Sequence, residues 1–234
     1  VNLETYFNLF SCLKWKKYVG VESVYLRLKL NGIVKVKIDH LQVKDGDVER
    51  HGVLDEEIQS DASGYVTSNE FTLPEEGMLG VMIEAVSESV LYEVDFSTDQ
   101  TGLEENDICI GIGICTFKRE KYVERNMNLL KEGILNNPAA EAYEHIKICI
   151  SDNAGTLEPE KIENPEIHVV KNKNLGGVGG FTRTMLEYLN GEEKISHVLL
   201  MDDDAIILPE TIERNYLFLK HLKKKYYNYV IGGA

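Results

Sequence analysis

Three consecutive carboxylates follow an apolar, strand-like run near the end of the chain. The run is Val198 to Met201, and Asp202, Asp203 and Asp204 come directly after it. Adjacent like charges repel one another, so the group is costly unless a positive charge sits among them. Mg²⁺ or Mn²⁺ would supply that charge, because these ions take carboxylates, waters and substrate phosphates as ligands. The same residues also fit a solvated acidic turn before a helix that begins near Pro209.

A glycine-rich segment follows another apolar run, Ile167 to Val170, and opens a predicted helix. It reads Asn174-Leu175-Gly176-Gly177-Val178-Gly179-Gly180. Glycines let the backbone approach a bulky ligand, and a helix start offers free N–H groups and a positive dipole end to an anion. The segment matches neither a Walker loop nor a GxGxxG fingerprint. A tight connection without a ligand is the alternative.

Two weaker motifs follow the first two strands of the same half. Thr116-Phe117-Lys118-Arg119 could contact a diphosphate through the arginine fork, or it could be a surface loop. Asp152-Asn153 could accept a hydrogen bond from a base, or it could make an Asx turn before Gly155. We assign Gly111 and Gly113 to packing.

The elements that would position these motifs form two halves with different periodicity. Residues 106–234 alternate buried strands with helices, which predicts a parallel sheet whose ligands lie beyond the carboxyl ends of the strands. All four motifs fall at such ends. Residues 1–105 show strand-like alternation, with Asn31-Gly32 as a hairpin signal, and predict an all-β sandwich. The fold class is therefore α/β plus all-β, in two domains, 1–105 and 106–234.

Charge and composition narrow the function. The 234 residues carry a formal net charge of -14, which argues against a sequence-independent grip on nucleic acid. No apolar run approaches the roughly 20 residues that cross a bilayer, and the first residues lack the build of a signal peptide. The four cysteines show no zinc-like spacing. We expect a cytoplasmic protein with reduced thiols.

In their order along the chain, the four motifs resemble the nucleotide-binding half of family 2 glycosyltransferases with the GT-A (Rossmann-like) fold. The similarity is greatest to the galactofuranosyltransferase-like branch, in which an N-terminal β-sandwich precedes the catalytic domain. The motif match covers about residues 108 to 234. For residues 1–105 the resemblance rests on position and β character.

The resemblance implies roles for individual residues. Thr116 and Arg119 would flank the nucleotide and diphosphate of the sugar donor, and Asp152 would read the uracil. Asp202 and Asp204 would lie around the ribose and the metal, Mn²⁺ or Mg²⁺, and Asp203 would face the donor sugar or the acceptor. The remaining predicted nucleotide-sugar contacts are Asn174, Gly176, Gly177, Gly180 and Arg183. Lys118 departs from the Asn common at its position.

The implied reaction is an inverting, metal-dependent transfer from a UDP- or dTDP-sugar to a glycan or lipid-linked acceptor, in cell-wall or polysaccharide biosynthesis at the cytoplasmic face of a membrane. Family members continue beyond the segment matching Val230 to Ala234 into the acceptor site, which supplies the catalytic base. We therefore expect this stretch of chain to bind the sugar donor but to be inactive alone. Two alternatives stay open: a nucleotidyltransferase, and a carbohydrate-binding or assembly protein with a vestigial nucleotide platform. The oligomeric state is not predicted.

Overall fold

The computed structural model describes residues 1–5 and 7–232 and divides them into two compact units. The first unit is Val1–Glu104 together with the described residues from Leu222 onward, and the second is Glu105–His221. In the described part of the chain, every helix is too short or too polar to cross a membrane.

The described residues from Leu222 onward belong to the first unit, whereas the sequence assigned all of 106–234 to the second domain. Lys223 donates its backbone N–H to the carbonyl of Tyr18 at 2.9 Å. The ring of Tyr226 meets that of Tyr18 edge-on, with centroids 4.9 Å apart. These contacts hold the segment after Leu222 on the first unit. Gly233 and Ala234, which ended the predicted domain, lie outside the described residues.

The first unit is built around one long strand, β2. Its strands are β1 (Phe10–Ser11), β2 (Ser23–Lys44), β3 (Asp47–Asp61), β4 (Val66–Thr67), β5 (Phe71–Thr72), β6 (Met78–Ala85) and β7 (Val90–Ser97). All seven belong to one hydrogen-bonded set, in which β2 pairs with every strand except β1. The predicted β-sandwich therefore stays a prediction. Buried side chains of β2, such as Leu26, Leu28, Val36 and Ile38, fill the core.

The predicted hairpin at Asn31-Gly32 is wrong. β2 runs through this dipeptide without turning, and the chain reverses at Asp45-Gly46, where both residues have positive φ, 53° and 91°. Gly32 also has a positive φ, 110°, but here the glycine allows neighbouring residues to approach the strand closely. A Cβ there would lie 2.3 Å from Ser89 Oγ and 2.6 Å from the carbonyl of Glu88. The glycine in this dipeptide is therefore required by close packing and not by a turn.

The second unit confirms the predicted parallel α/β sheet. Its strands are β8 (Ile110–Thr116), β9 (Ile146–Asp152), β10 (Ile167–Lys171) and β11 (His197–Asp202), in the order β10-β9-β8-β11. Its helices are α1 (Glu120–Leu130), α2 (Pro159–Ile162), α3 (Gly176–Asn190) and α4 (Pro209–Lys220). A π-helical turn, Lys131–Leu135, continues α1.

The central strand β8 shows why these helices pack where they do. Its isoleucines alternate with glycines, and the glycine side lies against α3. A Cβ on Gly111 would come within 2.8 Å of the Tyr188 ring, and one on Gly113 would come within 2.4 Å of Thr184 Oγ1. The assignment of these two glycines to packing is confirmed. Their missing side chains let α3 lie close to the sheet and fix its N-terminus beside the carboxyl ends of the strands.

Candidate functional site

The last residues of the four parallel strands lie along one edge of the sheet. In the ladder, Thr116 of β8 is opposite Asp152 of β9, which is opposite Lys171 of β10. On the other side, Asp202 of β11 is opposite Cys115. The polar motifs that follow these strands therefore meet at the carboxyl edge, where ligands bind in sheets of this type.

The acidic turn after β11 directs its three carboxylates differently. Asp203 points inward and is 7% exposed, and its Oδ2 accepts a 2.8 Å hydrogen bond from Thr116 Oγ1. Asp204 is exposed and pairs with Arg119, whose Nη1 also lies 3.4 Å from Asp203 Oδ1. The carboxylate of Asp202 is exposed and contacts no partner in the described part of the chain. One carboxylate is thus structural, one is paired and one is free.

Arg119 supplies the positive charge that the carboxylates need when no metal is bound. Its hydrogen bond to Asp204, and then the charges of Asp204 and Asp203, raise the pKa of the guanidinium above its ordinary value. Because the side chain is nearly half exposed, water screens the pair and its contribution to stability is small. The contact is therefore one that a competing cation can replace.

Two residues of α1 that were not predicted as site residues hold the backbone of the acidic turn. Asn126 is fully buried, and its Nδ2 donates to the carbonyls of Asp203 at 3.0 Å and Ala205 at 2.8 Å. Arg125 Nη2 donates to the carbonyls of Asp204 at 3.2 Å and Ala205 at 3.1 Å. Two helix side chains thus fix the backbone that presents the carboxylates. The sequence contains one indication of this role, because Asn126 lies next to Met127 in the apolar stripe of the amphipathic helix α1.

Asp152 holds a loop. Its carboxylate is 1% exposed and accepts backbone N–H groups from Ala154 at 3.0 Å, Gly155 at 2.9 Å and Leu157 at 2.8 Å. With its oxygens used in this way and the residue 1% exposed, the Asp152 carboxylate holds its own loop and is not open to a base in this structure. The geometry favours the Asx-turn alternative over the uracil-reading role that the resemblance implies.

Asn153 connects the sheet edge to the glycine-rich segment. Its Nδ2 donates to the carbonyl of Gly176 at 3.2 Å and lies 3.3 Å from Cys115 Sγ, while its Oδ1 accepts from Asn172 Nδ2 at 2.9 Å. Burial, followed by the charges of Asp203 and Asp202, raises the pKa of the Cys115 thiol. Cys115 is opposite Asp202 in the sheet and its Sγ lies 4.0 Å from the carbonyl of Gly176, so the acidic turn and the start of α3 are neighbours.

The glycines of this segment divide into an open pair and a packed pair. A Cβ on Gly176 would meet nothing within 4 Å, and one on Gly177 would meet only Phe181, at 3.9 Å. Gly176 needs its glycine for a different reason, a φ of 70°. A Cβ on Gly179 would lie 2.3 Å from Leu175, and one on Gly180 would lie 2.1 Å from Cys115 Sγ. The open pair leaves room for a ligand. In the packed pair, Gly179 makes room for the Leu175 side chain at the helix start, and Gly180 brings α3 onto the sheet at Cys115.

Gly180→Ala is expected to destabilise the second unit by about 1–3 kcal/mol, because the added methyl group overlaps the Cys115 side chain. Gly177→Ala is the matched control in the same helix. It meets no close atom and should be neutral or stabilising by up to about 1 kcal/mol from helix propensity. Urea unfolding followed by circular dichroism measures both, and Cys115→Ala should partly restore the Gly180→Ala variant. Equal stability of the two alanine variants would contradict the packing role of Gly180.

The two remaining predicted contacts lie on either side of this helix start. Asn174 Oδ1 accepts the N–H of Gly176 at 3.2 Å, so its side chain shapes the turn into α3. Arg183 pairs with Glu187 at 2.6 Å, one turn further along the helix. That pair lies away from the N-terminus, and the structure does not bring Arg183 to the acidic turn.

The donor set at the acidic turn suits an open metal site. Among the described residues, no three His, Cys, Asp or Glu side chains form a group that could hold a metal ion by themselves. Mg²⁺ and Mn²⁺ do not require such a group, because they are usually bound through one or two carboxylates, waters and substrate phosphates. The free carboxylate of Asp202 and the exposed carboxylate of Asp204 fit an ion shared with a diphosphate.

A parallel α/β sheet with a glycine-rich helix start and exposed carboxylates at its carboxyl edge places these groups where open sheets of this type bind their ligands. The model for glycosyl transferase family 2 matches residues 111–233, and the chain belongs to this family.

Two curated relatives are similar over most of the chain. Galactofuranosyltransferase GlfT2 of Mycobacterium tuberculosis is 25% identical over 227 residues, covering 92% of this chain and 34% of the relative. GlfT2 of Mycolicibacterium smegmatis is 22% identical over 220 residues, covering 92% and 33%. The chain therefore spans about a third of the length of these relatives. Among solved structures, residues 1–349 of TarS from S. aureus align with 48% of this chain and 32% of that one, at 16% identity and a TM-score of 0.36.

Proposed function

We propose that the second unit binds the nucleoside diphosphate of a UDP- or dTDP-sugar, and that the whole protein transfers the sugar to a hydroxyl of a glycan or lipid-linked acceptor with inversion. The observation that carries the proposal is the convergence of two motifs beside Cys115. One is the acidic turn with Arg119, and the other is the open glycine start of α3. The family and the names of the relatives support the class of reaction.

The two motifs offer complementary contacts to one ligand. The diphosphate is anionic, and a helix start leaves N–H groups without an intrahelical partner. The N–H of Gly176 is used by Asn174, so the N–H groups of Gly177 and Val178 are the ones that would donate to phosphate oxygens. Arg119 can leave Asp204 and donate to the same phosphates through its fork. The bare backbone at Gly176 and Gly177 lets the nucleotide lie against the chain. Asp152 acts at this edge by holding the loop that follows β9, through the backbone contacts described above.

Asp202 and Asp204 would hold Mn²⁺ or Mg²⁺ against the diphosphate, and the ion when bound would neutralise charge on the departing nucleoside diphosphate. Asp203 keeps the turn in place through Thr116. We further propose that the catalytic base belongs to a region of the protein that follows residue 234. The acceptor would be a polysaccharide or lipid-linked glycan at the cytoplasmic face of a membrane.

Calorimetric titration of the chain with UDP, dTDP and GDP, each with Mn²⁺ and with a chelator, tests this proposal. We expect binding of UDP or dTDP that requires Mn²⁺, with GDP as the purine comparison. Metal-independent binding of all three would mean that the glycine-rich start acts alone and the metal site is misplaced. Absence of binding both in this chain and in a longer one that includes the acceptor region would overturn the proposal and favour a vestigial nucleotide platform.

A further inference from the structure

The first unit contains an open cavity of about 630 Å³ where β2 changes its partners. Before this point β2 pairs with β7, through Asn31, and after it β2 pairs with β6, from Val34 onward. The pairing with β3 also begins at Asn31. The cavity therefore lies at an interruption of the hydrogen-bonded set, next to Gly32. Its volume falls within the roughly 300–1,000 Å³ of small-molecule sites.

The walls of the cavity are held by contacts of their own. Ile33 donates its backbone N–H to the hydroxyls of Ser87 and Ser89 at 3.1 Å each, and Ser89 Oγ donates back to the carbonyl of Ile33. On the opposite side, Asp61 Oδ1 accepts the N–H of Ser63 at 2.9 Å and shapes the loop after β3. These bonds fix the shape of the cavity before any ligand arrives, which reduces the entropy lost on binding.

Two of the residues that line the cavity carry side-chain amides that make no hydrogen bond with other described residues. Register places Asn31 opposite Asp61 and Ile33 opposite Gln59, so Asn31, Gln59 and Asp61 lie on one face of the β2–β3 ladder. The amides of Asn31 and Gln59 contact no partner in the part of the chain that the structure describes. Each amide can donate and accept at the same time. A row of amide, carboxylate and amide suits a ligand with several adjacent hydroxyl groups.

An aromatic ring completes the lining. Tyr65 is half exposed, its hydroxyl donates to Glu93, and the guanidinium of Arg27 lies 4.6 Å from its ring centroid. These contacts fix the ring at the mouth of the cavity, where it offers an apolar surface to the C–H groups of a sugar. Among the described lining residues, Asp61 carries the one charge. The cations Arg27 and Lys29 lie against the Tyr65 ring and are not lining residues, so a neutral ligand fits a lining of amides, hydroxyls and one carboxylate.

We propose that this cavity binds a neutral glycan chain, separately from the nucleotide site. The amides of Asn31 and Gln59 hydrogen-bond sugar hydroxyls, and the Tyr65 ring packs on a sugar face. The proposal does not depend on the function proposed above, because it concerns the first unit and requires neither nucleotide nor metal.

Nuclear magnetic resonance titration of the ¹⁵N-labelled chain, in chelator and without nucleotide, tests the site. The probes are short neutral oligomers of galactofuranose and of galactopyranose, and uronic acid oligomers serve as the charged comparison. We expect saturable shifts of the side-chain NH₂ signals of Asn31 and Gln59 with at least one neutral oligomer. Those signals are identified by their loss in Asn31→Ser and Gln59→Ala. The absence of such shifts at millimolar concentrations of every neutral oligomer, or equal shifts with the charged ones, would overturn the proposal.

Matched variants separate this cavity from the rest of the surface. Gln59→Ala and Tyr65→Ala should each weaken glycan binding about five- to tenfold. Gln42→Ala on the neighbouring strand β2 and Tyr92→Ala, another exposed tyrosine of this unit, should leave it unchanged. All four should keep any Mn²⁺-dependent UDP binding. Glycan binding without UDP binding would support this site and count against the proposed function, whereas the reverse result would overturn the site alone.

Discussion

Asp202→Asn is expected to weaken Mn²⁺-dependent UDP binding by at least about 100-fold while leaving the fold intact. Loss of an outer-shell contact to a metal typically costs about 10- to 100-fold in affinity, so loss of a direct ligand should cost no less. The stability should not fall, because the Asp202 carboxylate is exposed and contacts no partner in the described chain. Neutralising it also relieves repulsion from Asp203 and Asp204. Calorimetry with UDP and Mn²⁺ measures the first effect, and thermal unfolding measures the second.

Asp107→Asn is the matched control for this experiment. It removes one exposed carboxylate from the segment just before β8, at the opposite end of the same sheet. The change in net charge is identical, so a general electrostatic effect would appear in both variants. If Asp202→Asn binds UDP with Mn²⁺ as tightly as Asp107→Asn does, the metal is not held at the acidic turn.

The sequence was sufficient for the architecture of the second unit. Buried runs such as Ile110–Thr116 and Ile146–Asp152 alternate with amphipathic helices, and this pattern depends on local chemistry alone. The rule that ligands lie at the carboxyl ends of parallel strands then predicted that four separate motifs meet at one edge of the sheet. Gly111 and Gly113 were likewise readable as packing residues.

The first unit was less readable because its connections depend on distant contacts. Asn31-Gly32 carries the composition of a tight turn, yet the chain continues through it, and the glycine is required there because residues 88 and 89 take the space next to it. A strand of 22 residues that pairs with several other strands cannot be recognised from a short stretch of sequence. For the same reason the sequence did not predict the placement of the segment that begins at Leu222, where the backbone of Lys223 bonds to that of the distant Tyr18.

Within the site, the sequence identified positions better than the states of their side chains. It placed Asp202, Asp203 and Asp204 together, but their division into free, inward and paired carboxylates depends on Thr116 and Arg119, which are more than 80 residues away. Asn126 was not predicted as a site residue because a polar residue on a helix is usually solvated. Its role in holding the turn becomes apparent once the structure shows that it is buried and bonded to the turn.

Arg119→Ala is expected to have opposite effects on two ligands of the same site. Without nucleotide, Mn²⁺ should bind about three- to tenfold more tightly, because Arg119 no longer neutralises Asp204 and no longer competes for its oxygens. With Mn²⁺ present, UDP should bind about tenfold more weakly, because a charge-assisted contact to the diphosphate is lost. Electron paramagnetic resonance of free Mn²⁺ measures the first effect, and calorimetry with UDP measures the second.

Lys118→Ala provides the comparison, because it removes the same charge from the neighbouring position. The Lys118 ammonium lies over the Phe117 ring, 5.4 Å from its centroid, and makes no ion pair with the acidic turn among the described residues. It should change Mn²⁺ affinity less than Arg119→Ala does. If Arg119→Ala binds Mn²⁺ no more tightly than Lys118→Ala, the arginine does not compete for the metal position. If it does bind more tightly, the arginine neutralises the carboxylates until metal and diphosphate arrive together, and then moves to the phosphates.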